Sequence, residues 1–130
     1  MRALAIAVGL AIGCGSAERT PEPDCAGVAS ARLSIDVRPI FGARCGGAEC
    51  HGQNYGGERA FADLVGAPAA ECADGRLLVE PFAPSASYLF QKLTGQALCS
   101  GSAMPKRATP LTADELAVVR GWICAGAHDD

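Results

Sequence analysis

Aromatic residues are scarce in this chain. They make up 5% of its 130 residues, with a single tryptophan. Hydrophobic residues nevertheless reach 49%, because much of that fraction is alanine, which fills little volume. The side chains are short of bulk for a densely packed interior. Either another apolar group completes the core, or the composition is that of an alanine- and glycine-rich genome. Charge of one sign is lacking too: the formal net charge is −3 and no basic cluster is present. Nucleic acid is therefore not an expected partner. The apolar run at residues 3–12 is about half the length needed to span a bilayer as a helix. No alternating strand run, internal repeat, nucleophile elbow or phosphate loop appears, and no small-molecule substrate is indicated. There are only two histidines and two methionines, so His51 and Met104 stand out.

The N-terminus reads as an export signal. Arg2 supplies a positive charge, the apolar run follows, and Gly13-Cys14 leads into the polar stretch "GSAERTPEPD". The segment "LAIGC" resembles the lipobox of bacterial lipoproteins, with Ala11 where leucine is usual. That resemblance implies cleavage before Cys14, a lipid on its sulfur, and a place on the periplasmic side or in the outer membrane. The alternative is ordinary secretion with Cys14 left as a spare thiol. The expected organisation is a signal peptide at 1–13, a lipidated tether at 14–30, a domain at 31–127 and a solvated tail at 128–130, His128 included.

Seven cysteines are too many for accidental thiols in an exported protein. With Cys14 set aside, six remain: Cys25, Cys45, Cys50, Cys72, Cys99 and Cys124. An even number permits three disulfides, or two disulfides and one further pair with another role.

Helical patterns separated by long loops predict an all-α domain of about four to five short helices. In "IDVRPIFGARC", Val37, Ile40 and Phe41 share a face, Asp36 is the expected N-cap and Pro39 falls in the first turn. That helix runs into Cys45. Five glycines between positions 46 and 57 predict a loop. "FADLVG" fits one or two helical turns. "PSASYLFQKLTG" predicts a helix with Ser85 as N-cap and Gly95 as its stop. The strongest local signal is "LTADELAVVRGWICAGA". There Thr112 and Glu115 form a capping box, Leu111 can staple onto Leu116, and Leu116, Val119 and Ile123 make an apolar stripe.

The chemistry concentrates in "RCGGAECHGQ". Two cysteines followed directly by a histidine are the attachment pattern of a c-type haem, usually with two residues between the cysteines. Here four intervene, Gly46-Gly47-Ala48-Glu49, and two of them are glycines that let the backbone bulge. Downstream, "SAMPK" puts Met104 before a proline in a polar loop rather than on an apolar helix face, where methionine usually serves as filler. Over residues 33–127 the chain resembles class I cytochromes c, in particular small cysteine-rich cytochrome-c-like lipoproteins of bacteria. The stretches that carry the likeness are "DVRPIFGARCGGAECHG", "LVEPFAPSASYLFQKLTG", "SAMPK" and "LTADELAVVRGWICAGA".

The resemblance implies a disulfide-stapled cytochrome c-like fold, with the first and last helices crossing near Trp122. It implies one haem c bound covalently through Cys45 and Cys50, with His51 and Met104 as axial iron ligands. It also implies disulfides Cys72–Cys99 and Cys25–Cys124. The expected function is electron transfer rather than catalysis, with redox partner proteins at a membrane surface. Two other readings stay open. In one, the domain holds no haem, Cys45 and Cys50 close as a disulfide, and the role is structural or binding. In the other, Cys45, Cys50 and His51 join a distant cysteine around zinc.

Overall fold

The computed structural model describes residues 19–52, 57 and 60–130. The expected signal segment and Cys14 lie outside the described residues. Four α-helices run through the described chain: α1 Arg38–Cys45, α2 Ala60–Leu64, α3 Tyr88–Thr94 and α4 Ala113–Cys124. Among the described residues there is no β-strand, only isolated bridges pairing Val65 with Val79 and Pro68 with Leu77. None of their helices is long and apolar enough to cross a membrane.

The first helical segment begins earlier than the sequence suggests, and differently. Leu33–Val37 forms one wide π turn in which the Val37 N–H reaches the Arg32 carbonyl at 3.2 Å. Asp36 lies inside this turn and does not cap α1; its carboxylate accepts the Arg32 N–H at 2.8 Å. Val37, Phe41 and Cys45 follow at intervals of four and are buried, so one side of the segment points inward for its whole length. Pro39 falls in the first turn of α1, where its missing N–H breaks no bond.

Ser85 does not cap α3. The N-cap is Ser87, and its hydroxyl turns away from the helix, donating to the Ala83 carbonyl at 2.8 Å and accepting from the Glu80 N–H at 2.9 Å. Gly95 ends the helix as expected, at φ 72° in the left-handed region. α4 carries the expected capping box: Glu115 N–H donates to Thr112 Oγ1 at 3.2 Å and Thr112 N–H to Glu115 Oε2 at 2.8 Å.

Leu33, Val37 and Phe41 pack with Leu64, Leu93, Leu111, Val119, Trp122 and Ile123 in one core. Residues 128–130 have exposed side chains, yet they are not a loose tail. The Trp122 indole donates to the His128 carbonyl at 2.9 Å. Asp130 accepts from the Leu33 N–H at 2.9 Å and the Ser34 N–H at 2.8 Å. The end of the chain thus satisfies N–H groups that open the first helical segment.

Two disulfides hold the loops. Cys25–Cys124 ties the N-terminal segment to the end of α4, across 99 positions. Cys72–Cys99 closes the segment that contains α3, across 27 positions. Both are the pairs the family resemblance implies. Beside the first staple, the backbone at Ala29 passes so close to α4 that a Cβ on Gly121 would stand 2.2 Å from the Ala29 carbonyl oxygen.

Candidate functional site

With Cys25, Cys72, Cys99 and Cys124 spent in disulfides, Cys45 and Cys50 are the free thiols of the described residues. Cys45 is the last residue of α1 and is buried, whereas Cys50 is exposed. The four residues between them do not carry Cys50 away. The chain leaves α1 at Gly46, where a Cβ would come within 2.6 Å of the Gly42 carbonyl oxygen. It then folds into a tight turn: the Cys50 N–H bonds the Gly47 carbonyl at 2.8 Å, and the Gly52 N–H bonds the same carbonyl at 3.2 Å. The His51 N–H closes back onto the Cys45 carbonyl at 3.2 Å. Gly52 takes φ 58°, which favours glycine. The insert is absorbed as a turn, and Cys45, Cys50 and His51 stay together.

Their electrostatics follow from burial. Loss of water pushes the Cys45 thiol above its ordinary pKa, and the neighbouring Cys50 adds to the rise. His51 is half-buried, and desolvation holds its imidazole below its ordinary pKa. The neutral ring is the favoured form around neutral pH.

Arg44, one position before Cys45, makes a bidentate ion pair with Glu115, Nε to Oε1 at 2.8 Å and Nη2 to Oε2 at 2.9 Å. This pair fastens the end of α1 to the start of α4, and the carboxylate that serves it also serves the capping box. The Arg44 guanidinium, then the Thr112 N–H, hold the Glu115 carboxyl below its ordinary range. Local periodicity could not find this contact, because the partners stand 71 positions apart.

Met104 arrives by another route. It is half-buried in the loop after Cys99, and its N–H donates to the carbonyl of Lys92 in α3 at 2.8 Å. It is therefore positioned by α3 and the Cys72–Cys99 staple, while Cys45, Cys50 and His51 are positioned by α1.

No family model, curated protein or solved structure matches this chain. A pair of thiols with an adjacent neutral imidazole suits covalent haem attachment through the sulfurs and iron ligation through the ring. A four-ligand zinc site with a third cysteine does not fit the described residues, since every other described cysteine is in a disulfide. Cys72, Asp74 and Cys99 also lie together, with ligand atoms within 4.8 Å of one another. Both sulfurs there are bonded to each other, so they offer no thiolate. A cavity of about 1040 Å³ opens between residues 24–31, α3 and α4, bounded by Val28, Phe90, Leu116 and Arg120. None of Cys45, Cys50, His51 and Met104 lines it.

Proposed function

We propose that the chain is an exported, membrane-tethered c-type cytochrome that carries electrons through one covalently bound haem. One observation carries this reading. Four of the six described cysteines close as Cys25–Cys124 and Cys72–Cys99, and the two left as thiols are Cys50, directly before His51, and Cys45, six positions before it. A third disulfide would have removed the attachment points.

In this account Cys45 and Cys50 hold the haem through their sulfurs, and His51 and Met104 ligate its iron. The haem supplies a one-electron iron couple when bound. The chain supplies position and environment. α1 and the Arg44–Glu115 clamp fix Cys45, and the turn at residues 47–52 fixes Cys50 and His51 relative to it. Burial favours the neutral imidazole. A thioether from Met104 favours the ferrous state and so a relatively high reduction potential. The scarcity of aromatic bulk fits a core completed by an apolar cofactor. The core shared by residues 33–45 and α4, with Trp122 buried in it, supports a cytochrome c-like arrangement. A lipid on Cys14 would hold the carrier near redox partner proteins at a membrane surface; Cys14→Ala is expected to abolish acylation and membrane retention. Catalysis plays no part in this reading.

The two iron-ligand assignments are tested separately. His51→Ala is expected to lower haem incorporation sharply. Met104→Ala is expected to keep the haem attached, lower the reduction potential and open a coordination position to added ligands. A Met104→Ala protein with unchanged potential would remove Met104 from the site.

A further inference from the structure

The lysine of α3 ought to face water, as lysines in short surface helices do. Lys92 does not: it is 8% exposed. A buried ammonium is costly unless its protons find acceptors, and this one has three protons to place. One goes to the Ser100 carbonyl at 2.8 Å, one to the Glu71 carboxylate at 2.7 Å, and a longer contact reaches the Ser102 carbonyl at 3.4 Å. The Tyr88 ring lies 5.4 Å from Nζ, within cation–π range. The Tyr88 hydroxyl donates to the same Glu71 oxygen at 2.7 Å, and the Ser100 hydroxyl does so at 3.2 Å. The charge is thus neutralised and the carboxylate is held in place.

These bonds all bear on one short loop. The ammonium takes the carbonyls of Ser100 and Ser102, and the Lys92 backbone carbonyl takes the Met104 N–H at 2.8 Å. One residue therefore grips residues 100–104 at three points. Cys99, just before, is fastened to Cys72. The loop lies against α3 so closely that a Cβ on Gly95 would stand 3.3 Å from the Ala103 side chain, and one on Gly101 would stand 3.4 Å from Nζ.

We infer that Lys92 is the positioning residue for Met104: its buried ammonium and its own carbonyl fix the loop that presents the thioether. This rests on the reading of Met104 as an iron ligand. A methionine side chain has three rotatable bonds, so a defined ligation geometry needs a fixed backbone beneath it. Charge-assisted bonds to two carbonyls supply that more firmly than neutral ones would.

The test compares wild type, Lys92→Met and Lys106→Met as full-length proteins. Lys92→Met keeps an apolar stem of similar length and deletes the ammonium. Lys106→Met deletes an exposed lysine two positions after Met104. After haem loading, Lys92→Met is expected to carry wild-type haem content but a severalfold weaker sulfur-to-iron charge-transfer absorption and a lower reduction potential. In the haem-free proteins, exchange of the Met104 amide hydrogen should rise about ten- to a hundredfold in Lys92→Met. It should stay unchanged in Lys106→Met. Should Lys92→Met fail to fold, Lys92→Gln is measured in the same way. Unchanged absorption and unchanged exchange would overturn the inference, as would equal effects in Lys106→Met. If wild type takes up no haem, the carrier reading fails by itself. Met104 exchange then still decides whether Lys92 holds the loop.

Discussion

Removing the Cys25–Cys124 bond should cost more stability than removing Cys72–Cys99, and the loop lengths give the sizes. The first closes a loop across 99 positions and the second across 27. On the chain-entropy account, cross-linking loops of those lengths stabilises by about 4.7 and about 3.6 kcal/mol. Domains of this size are stable by about 5–15 kcal/mol in total, so either loss is a large share. The N-terminal segment is otherwise held by non-covalent contacts: Arg120 to the Asp24 carboxylate at 3.0 Å and to its carbonyl at 2.7 Å, the Glu22 N–H to the Phe82 carbonyl at 3.0 Å, the Ser85 N–H and hydroxyl to the Glu22 carboxylate at 3.0 and 2.7 Å, and Arg19 to Glu80. Those contacts do not constrain the unfolded chain, as a covalent bond does. The assay is urea unfolding of haem-free Cys25→Ala/Cys124→Ala and Cys72→Ala/Cys99→Ala proteins, followed by tryptophan fluorescence of the buried Trp122. Both double variants should show lower midpoints. The m-value should rise more for the first, because its unfolded chain loses the longer constraint and exposes more surface. A smaller loss for Cys25→Ala/Cys124→Ala than for the other pair would refute the reasoning.

Gly121→Ala should destabilise by about 1–3 kcal/mol, the usual range for overpacking, because its Cβ would meet the Ala29 carbonyl at 2.2 Å; thermal unfolding measures it. In the haem-free protein, an alkylating reagent should label Cys50 well before Cys45 and leave the other described cysteines untouched, since Cys50 is exposed and Cys45 is buried with its thiol pKa raised; mass spectrometry of timed samples reads the order. Glu115 has a folded pKa below its ordinary 4.5. The stability it contributes is present above that value and is lost as pH falls through the lower folded one. Arg44→Met should therefore flatten the acid limb of the stability curve, as read from urea midpoints across that range.

Legibility in the sequence followed the range of the interactions. The cap of α4 is written within four residues, Thr112 to Glu115, and the stop of α3 is a single glycine; both stand where local rules put them. The start of the first segment is not local. Leu33 and Ser34 donate to Asp130, nearly a whole chain away, so Asp36 is free to turn back onto Arg32. Ser85 and Ser87 are indistinguishable by type, and the turn at residues 80–83 captured the second. Cysteine counting left the pairing open; the family likeness implied both bonds that are present. In the site, the cluster of Cys45, Cys50 and His51 was legible. The turn that absorbs the four-residue insert was not, because it depends on backbone bonds rather than residue types. Lys92 shows the same limit: its helix position says surface, and its burial is explained by the Glu71 carboxylate, the Tyr88 ring and the carbonyls of Ser100 and Ser102, of which only Tyr88 belongs to its own helix.

The central claim is that Cys45 and Cys50 hold a haem. It is tested most directly on full-length protein matured in a host with a c-type assembly system, by pyridine haemochrome spectroscopy together with intact-mass and peptide mass spectrometry. The account predicts a c-type haemochrome, one haem retained through denaturation, and haem mass on the peptide containing Cys45, Cys50 and His51. A colourless protein whose peptide shows Cys45 and Cys50 joined to each other would contradict it.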